Sequence, residues 1–153
     1  MLRLNRMTDY AILVLGVLHG RPGELLSSAQ IAHHAQLTQA TVAKIIKALS
    51  AAELVATSRG NKGGCQLAMP AIAISIAQVI EAIEGPIALT ACVEGADDPC
   101  AVQQGCFMSG SWNHINGAIR AALDGVSLSD LFHPSKLFPA SLETHEHTSQ
   151  PEV

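Results

Sequence analysis

The sequence predicts a mainly α-helical protein with one small β-hairpin, and three observations lead there. Apolar residues recur at helical spacing in several short runs, most clearly Val42, Ile45, Ile46 and Leu49 at i, i+3, i+4 and i+7. Two strand-like runs, Leu54–Ser58 and Cys65–Met69, flank the turn Arg59-Gly60-Asn61-Lys62-Gly63-Gly64. Hydrophobic residues make up 48% of the chain but aromatics only 3%, so the core must be aliphatic, as in small helical proteins. A chain of 153 residues suits one compact domain with an appended element.

Taken in order, Thr8 is the expected N-cap of a first helix, with Asp9 favourable in its first turn. The run Tyr10–Leu18 is apolar nearly all round, which predicts a largely buried helix ended by His19-Gly20-Arg21-Pro22-Gly23. Arg3 and Arg6 before that run resemble the start of a signal peptide. Asp9 opens the run, however, and no A-x-A site follows. Nine apolar residues are too few to span a membrane.

Ser27 and Gln30 form a capping box for a short helix through Ile31, Ala32 and His34 that stops near Gln36. Thr38 opens the next helix, whose outward face holds Gln39, Thr41, Lys44 and Lys47. Two short helices, the second polar and basic, suit a helix-turn-helix with its second helix in the major groove. Periodicity alone fits an ordinary helical hairpin equally well. The strand pair that follows supplies a wing whose tip can set Arg59 and Lys62 beside the backbone or in the minor groove. Its glycines allow close approach to phosphate, although a long hairpin can use them simply to turn. Residues 1–70 therefore read as a winged helix-turn-helix DNA-binding region.

Ser75 and Gln78 cap a further helix with Val79, Ile80 and Ile83 on its buried face, and Gly85-Pro86 ends it. Cys92, Cys100 and Cys106 follow in the pattern C-x7-C-x5-C, among Gly, Pro, Asp and Gln residues that favour a loop. Thiolates that converge in such a loop are soft ligands for zinc or an iron–sulfur cluster. Ser111 starts a helix with an apolar stripe at Trp112, Ile115, Ile119 and Leu123, expected to pair with its twin in a homodimer. Ser127–Phe132 forms a last short turn. Residues 71–133 thus hold a linker helix, a cysteine loop and a dimerisation helix, and 134–153 read as a disordered tail.

Charge divides along the same line. Residues 1–69 carry seven Lys/Arg against three Asp/Glu, a net +4, while residues 70–153 carry two against ten, a net −8. A basic first half suits one face on phosphate. Unevenly spaced cysteines without a secretory leader point to a reducing cytoplasm. No phosphate loop, nucleophile–base arrangement or nucleotide fingerprint suggests an enzyme.

Several segments together resemble the Rrf-two (Rrf2) family of winged-helix transcription regulators, which includes the IscR, NsrR and RirA types. They are Leu4-Asn-Arg-Met-Thr-Asp-Tyr-Ala, Thr41-Val-Ala-Lys-Ile-Ile-Lys-Ala-Leu, Gly60-Asn-Lys-Gly-Gly, Ile74-Ser-Ile-Ala-Gln-Val-Ile-Glu-Ala-Ile-Glu-Gly and the three loop cysteines. The likeness covers about residues 1–133. Glu84-Gly-Pro-Ile-Ala-Leu-Thr-Ala-Cys92 and Ser111-Trp-Asn-His-Ile-Asn-Gly-Ala-Ile look most like regulators of the SUF iron–sulfur assembly system.

The resemblance implies a homodimer, a [2Fe–2S] or [4Fe–4S] cluster on the loop, and operator affinity that depends on the cluster. It also implies control of genes for cluster assembly or iron homeostasis. NsrR-type proteins use an aspartate from the partner subunit as fourth ligand, which makes Asp9 the first candidate here and His114 the second. Family wings usually read G-G-Tyr-x-Leu-x-Arg, whereas this chain has Cys65 and Met69 at the Tyr and Arg positions. IscR types place a histidine where this chain has Ser109. Cys65 itself reads as a packed wing residue. Two alternatives stand beside the cluster: a metal-free thiol–disulfide regulator, and a zinc-bound interaction module without a DNA role.

Overall fold

The protein is described by a computed structural model that covers residues 3–60, 62–94, 96, 100, 101, 106, 108 and 110–133. The expected tail, 134–153, lies outside the described residues, as do Asn61 and part of the cysteine loop. Among the described residues, six α-helices and a hairpin follow in order: α1 Arg6–His19, α2 Ser28–Ala35, α3 Gln39–Ala51, β1 Val55–Ser58, β2 Gly64–Leu67, a 3-10 turn Ala71–Ala73, α4 Ile76–Glu84, α5 Ser111–Asp124 and α6 Leu128–Phe132.

The two expected capping boxes form: Ser27 and Gln30 exchange hydrogen bonds at the head of α2, as Ser75 and Gln78 do at α4. A third, between Ser127 and Asp130, opens α6, where the sequence reading expected only a short turn. The first helix departs from expectation, because its N-cap is Asn5, whose side chain accepts from the Met7 N–H. Thr8 lies inside the helix, fully buried, and its hydroxyl donates to Glu84 Oε1. The same oxygen accepts the Asn5 N–H at 2.7 Å, so the last residue of α4 closes the start of α1. Both Asn and Thr make good caps. The choice fell to Glu84, which is far away in sequence.

One aliphatic core runs through α1–α4 and the wing and includes Leu15, Ile31, Ile45, Leu49, Leu54 and Ile74. The four positions 42, 45, 46 and 49 of α3 are all buried, as their spacing predicts. Helix α1 buries only one side, through Ala11, Val14, Leu15 and Leu18, while Leu13 stays 50% exposed. The expectation of a largely buried α1 is therefore only half met: an apolar run cannot say which side has a neighbour. Gln36, in the left-handed region at φ 55°, ends α2, and the Leu37 N–H returns to Ala32 O at 3.0 Å to make the tight turn into α3.

In the wing, β1 and β2 pair antiparallel with Val55 opposite Leu67 and Thr57 opposite Cys65. Leu26 adds a single bridge to Cys65, so the hairpin is tied to the chain just before α2. A side chain at Gly63 would come within 2.9 Å of the Arg59 carbonyl carbon and of Gly60 O, and Gly60 itself sits at φ +111°. The tip needs these glycines in order to turn.

Helix α5 is fastened to α4 along its length. Arg120 makes a forked contact with Glu81 at 2.9 and 3.2 Å, and Ser75 Oγ donates to Asp124 at 2.7 Å. The Glu81 hydrogen bond, reinforced by its charge, raises the Arg120 pKa further above its ordinary value. A bridge between Ser75 and Ser127 then leads into α6, where Phe132 lies over Gly16 and stacks on His19 at 5.4 Å. Along the expected stripe, Ile115 is 45% exposed and Trp112, Ile119 and Leu123 are half-buried. The buried residue of α5 is instead Asn116.

Candidate nucleic-acid interface and thiol loop

The residues expected to meet DNA are on the surface. Gln39, Lys44 and Lys47 of α3 are exposed, as are Arg59 and Lys62 of the wing tip, while Thr41 is half-buried. Thr38 caps α3 by accepting the Thr41 N–H at 3.2 Å, and the two hydroxyls lie 2.8 Å apart. Gln39 Nε2 donates to Ser28 Oγ at 3.4 Å and so links the second helix to the start of the first. Ala40 and Ala43 are also exposed on α3, and sequence reasoning passed over both. Small side chains there let the helix approach closely and can touch thymine methyl groups. The signal was available, since both are off the buried 42-45-46-49 face.

The thiol loop starts from Gly85, where a φ of 88° turns the chain out of α4. Residues 87–94 are then held by two asparagines of α5, one turn apart on the helix. Asn116 Nδ2 donates to Ile87 O at 2.8 Å, and its Oδ1 accepts the Leu89 N–H at 3.0 Å. Asn113 Oδ1 accepts the Glu94 N–H at 3.0 Å. Neither asparagine stood out in the sequence, because α5 carries other polar residues, His114, Arg120 and Asp124, among which nothing local marks the two. Cys100 donates its N–H to Ala91 O at 3.0 Å, which brings it back beside Cys92, and Thr90 Oγ1 lies 3.1 Å from Cys92 Sγ.

Cys92, Cys100 and Cys106 are all free and half-buried. As a donor set, three accessible thiols fit a thiophilic metal or cluster in kind. Among the described residues, no three His, Cys, Asp or Glu side chains converge as a group able to hold a metal ion. Asp9, exposed in the first turn of α1, and His114, exposed on α5, therefore do not complete a set with the cysteines within one chain. Cys65 is buried in the wing, and burial pushes its thiol pKa up, as suits a packed residue.

A helix-turn-helix with a cationic wing, joined through a buttressed loop to a further helix, defines a DNA-binding transcription regulator rather than an enzyme. The chain belongs to the Rrf2 family, described as iron-dependent transcriptional regulators, whose model matches residues 4–134. It is 33% identical over 132 residues to the HTH-type transcriptional regulator NsrR of Oceanobacillus iheyensis, a match covering 85% of this chain and 89% of the relative. Among solved structures it is similar to CymR, the global cysteine regulator of B. subtilis, with a TM-score of 0.65 and 26% identity. That match covers 88% of this chain and 98% of CymR. The oxidised form of Staphylococcus aureus CymR matches with a TM-score of 0.58 and 26% identity, over 85% and 95% of the two chains. Among the described residues, no helix is long and apolar enough to cross a membrane.

Proposed function

We propose that this protein is a cytoplasmic, homodimeric regulator whose operator affinity depends on an iron–sulfur cluster, [2Fe–2S] or [4Fe–4S], held by Cys92, Cys100 and Cys106. Residues 1–70 bind DNA through Gln39, Thr41, Lys44, Lys47, Arg59 and Lys62. Residues 71–133 sense and dimerise, with Asp9 of the partner subunit as the fourth ligand and His114 as the alternative. Genes for SUF-type cluster assembly or iron homeostasis are the expected targets, with the protein acting as a repressor. The observation that carries the reading is three free, half-buried thiols in the one segment that joins the DNA-binding helices to α5. A bound cluster supplies a redox- and ligand-sensitive centre there. Because the loop is hydrogen-bonded to α5 while Glu84 at its root holds α1, a change in the loop bears on both.

The test is an absorbance spectrum of anaerobically purified protein, with iron and sulfide assays on the same sample and operator binding measured before and after cluster removal. Visible bands with matched iron and sulfide, and a change in operator affinity, are expected. A colourless protein that resists reconstitution, or equal affinity in both forms, refutes the reading.

A second reading is favoured by the Cys100–Ala91 hydrogen bond and by the existence of an oxidised form of S. aureus CymR. In it, an oxidant takes two electrons and two protons from a pair of loop thiols, which close a disulfide, and no metal binds. Mass spectrometry of the oxidised protein separates the two readings. The zinc module without a DNA role finds no support in a chain whose family regulates transcription.

A further inference from the structure

The two asparagines of α5 do more than fill space. Asn116 is only 7% exposed and uses both ends of its amide, so it behaves like one residue of a paired strand set on a helix. With Asn113 it fixes the main chain at 87, 89 and 94, on both sides of Cys92. Cys100 is tied to the residue before Cys92. The hydrogen bonds from α5 therefore bear directly on the main chain around Cys92 and, through Ala91, on Cys100. A buried amide bonded to main-chain groups holds its position well, because losing either partner leaves a polar group unsatisfied.

We propose that Asn113 and Asn116 are positioning residues for the loop thiols: they hold Cys92, and Cys100 through it, as a preset pair. The idea deepens the thiol site of the proposed function. Its test uses the full-length apo protein and involves no cluster, so its failure and that of the cluster reading are distinguishable.

The experiment is pulsed alkylation with iodoacetamide at one pH under anaerobic reducing conditions, read for each cysteine by mass spectrometry. Asn113→Ala, which removes one hydrogen bond at a half-buried site, should speed Cys92 by about fivefold relative to Cys106, and Asn116→Leu by more. Asn113→Asp keeps the accepting oxygen and should restore the wild-type ratio. An unchanged Cys92-to-Cys106 ratio in Asn113→Ala overturns the proposal. So does an equal acceleration of buried Cys65, which would mark general loosening, and so does failure of Asn113→Asp to restore the ratio.

Discussion

Removing one of the two wing cations, Lys62, should change how DNA binding depends on salt more than how it depends on sequence. Each protomer exposes four candidate cations, Lys44, Lys47, Arg59 and Lys62. Each phosphate neutralised contributes about −0.9 to the slope of log affinity against log salt, so eight contacts in the proposed dimer would give about −7. Between about 50 and 200 mM salt, that slope lowers affinity by roughly four orders of magnitude. Lys62→Ala removes one contact per protomer and should flatten the slope by about 0.9 for each, about 1.8 for the dimer. The ratio of affinities for a selected and a random duplex should hardly move, because phosphate contacts position a protein without reading sequence. Fluorescence anisotropy across a potassium chloride series, with a duplex selected from a random pool, measures both quantities. Arg120→Gln, at a cation engaged with Glu81 on α5, serves as the control and should leave the slope alone. If Lys62→Ala leaves the slope unchanged, Lys62 does not touch the backbone.

Gly63→Ala should weaken DNA binding without lowering overall helix content, since the added carbon collides with Ser58 O at the end of β1 and with the Arg59 main chain, and so displaces the hairpin rather than a helix. A variant with wild-type affinity and helical circular dichroism would refute this. For Cys65, burial raises the folded-state pKa, so above the ordinary thiol value of about 8.5 the unfolded chain loses its proton more readily than the folded one. The stability associated with the protonated thiol is present below that value and is lost as pH rises through the folded pKa. Cys65→Val should flatten the alkaline fall of the urea midpoint, and identical pH curves would refute the assignment.

The elements legible in advance share one property: their determinants lie within a few residues of each other. Ser27 with Gln30, and Ser75 with Gln78, satisfy main-chain groups inside a single turn, so the cap can be read directly. The spacing of Val42, Ile45, Ile46 and Leu49 defines one helix face whatever covers it. The outward positions of Lys44 and Lys47 follow from the same register, as do those of Ala40 and Ala43. Thr8 misled because Asn5, three residues earlier, is an equally good local cap.

By itself, the sequence determined the helix-turn-helix, the wing with its turn glycines, the basic first half and the three-thiol loop, all set by local propensity, periodicity and turn chemistry. Only the tertiary structure decided where buried polar groups found partners. Asn5 and Thr8 meet Glu84 at separations of 79 and 76 residues, and Asn116 meets Leu89 and Ile87 at 27 and 29. A buried hydroxyl or amide must be hydrogen-bonded, but any of many groups can satisfy it. Packing of the aliphatic core brings one of them within reach, and that choice is spread over the whole fold rather than written beside the residue.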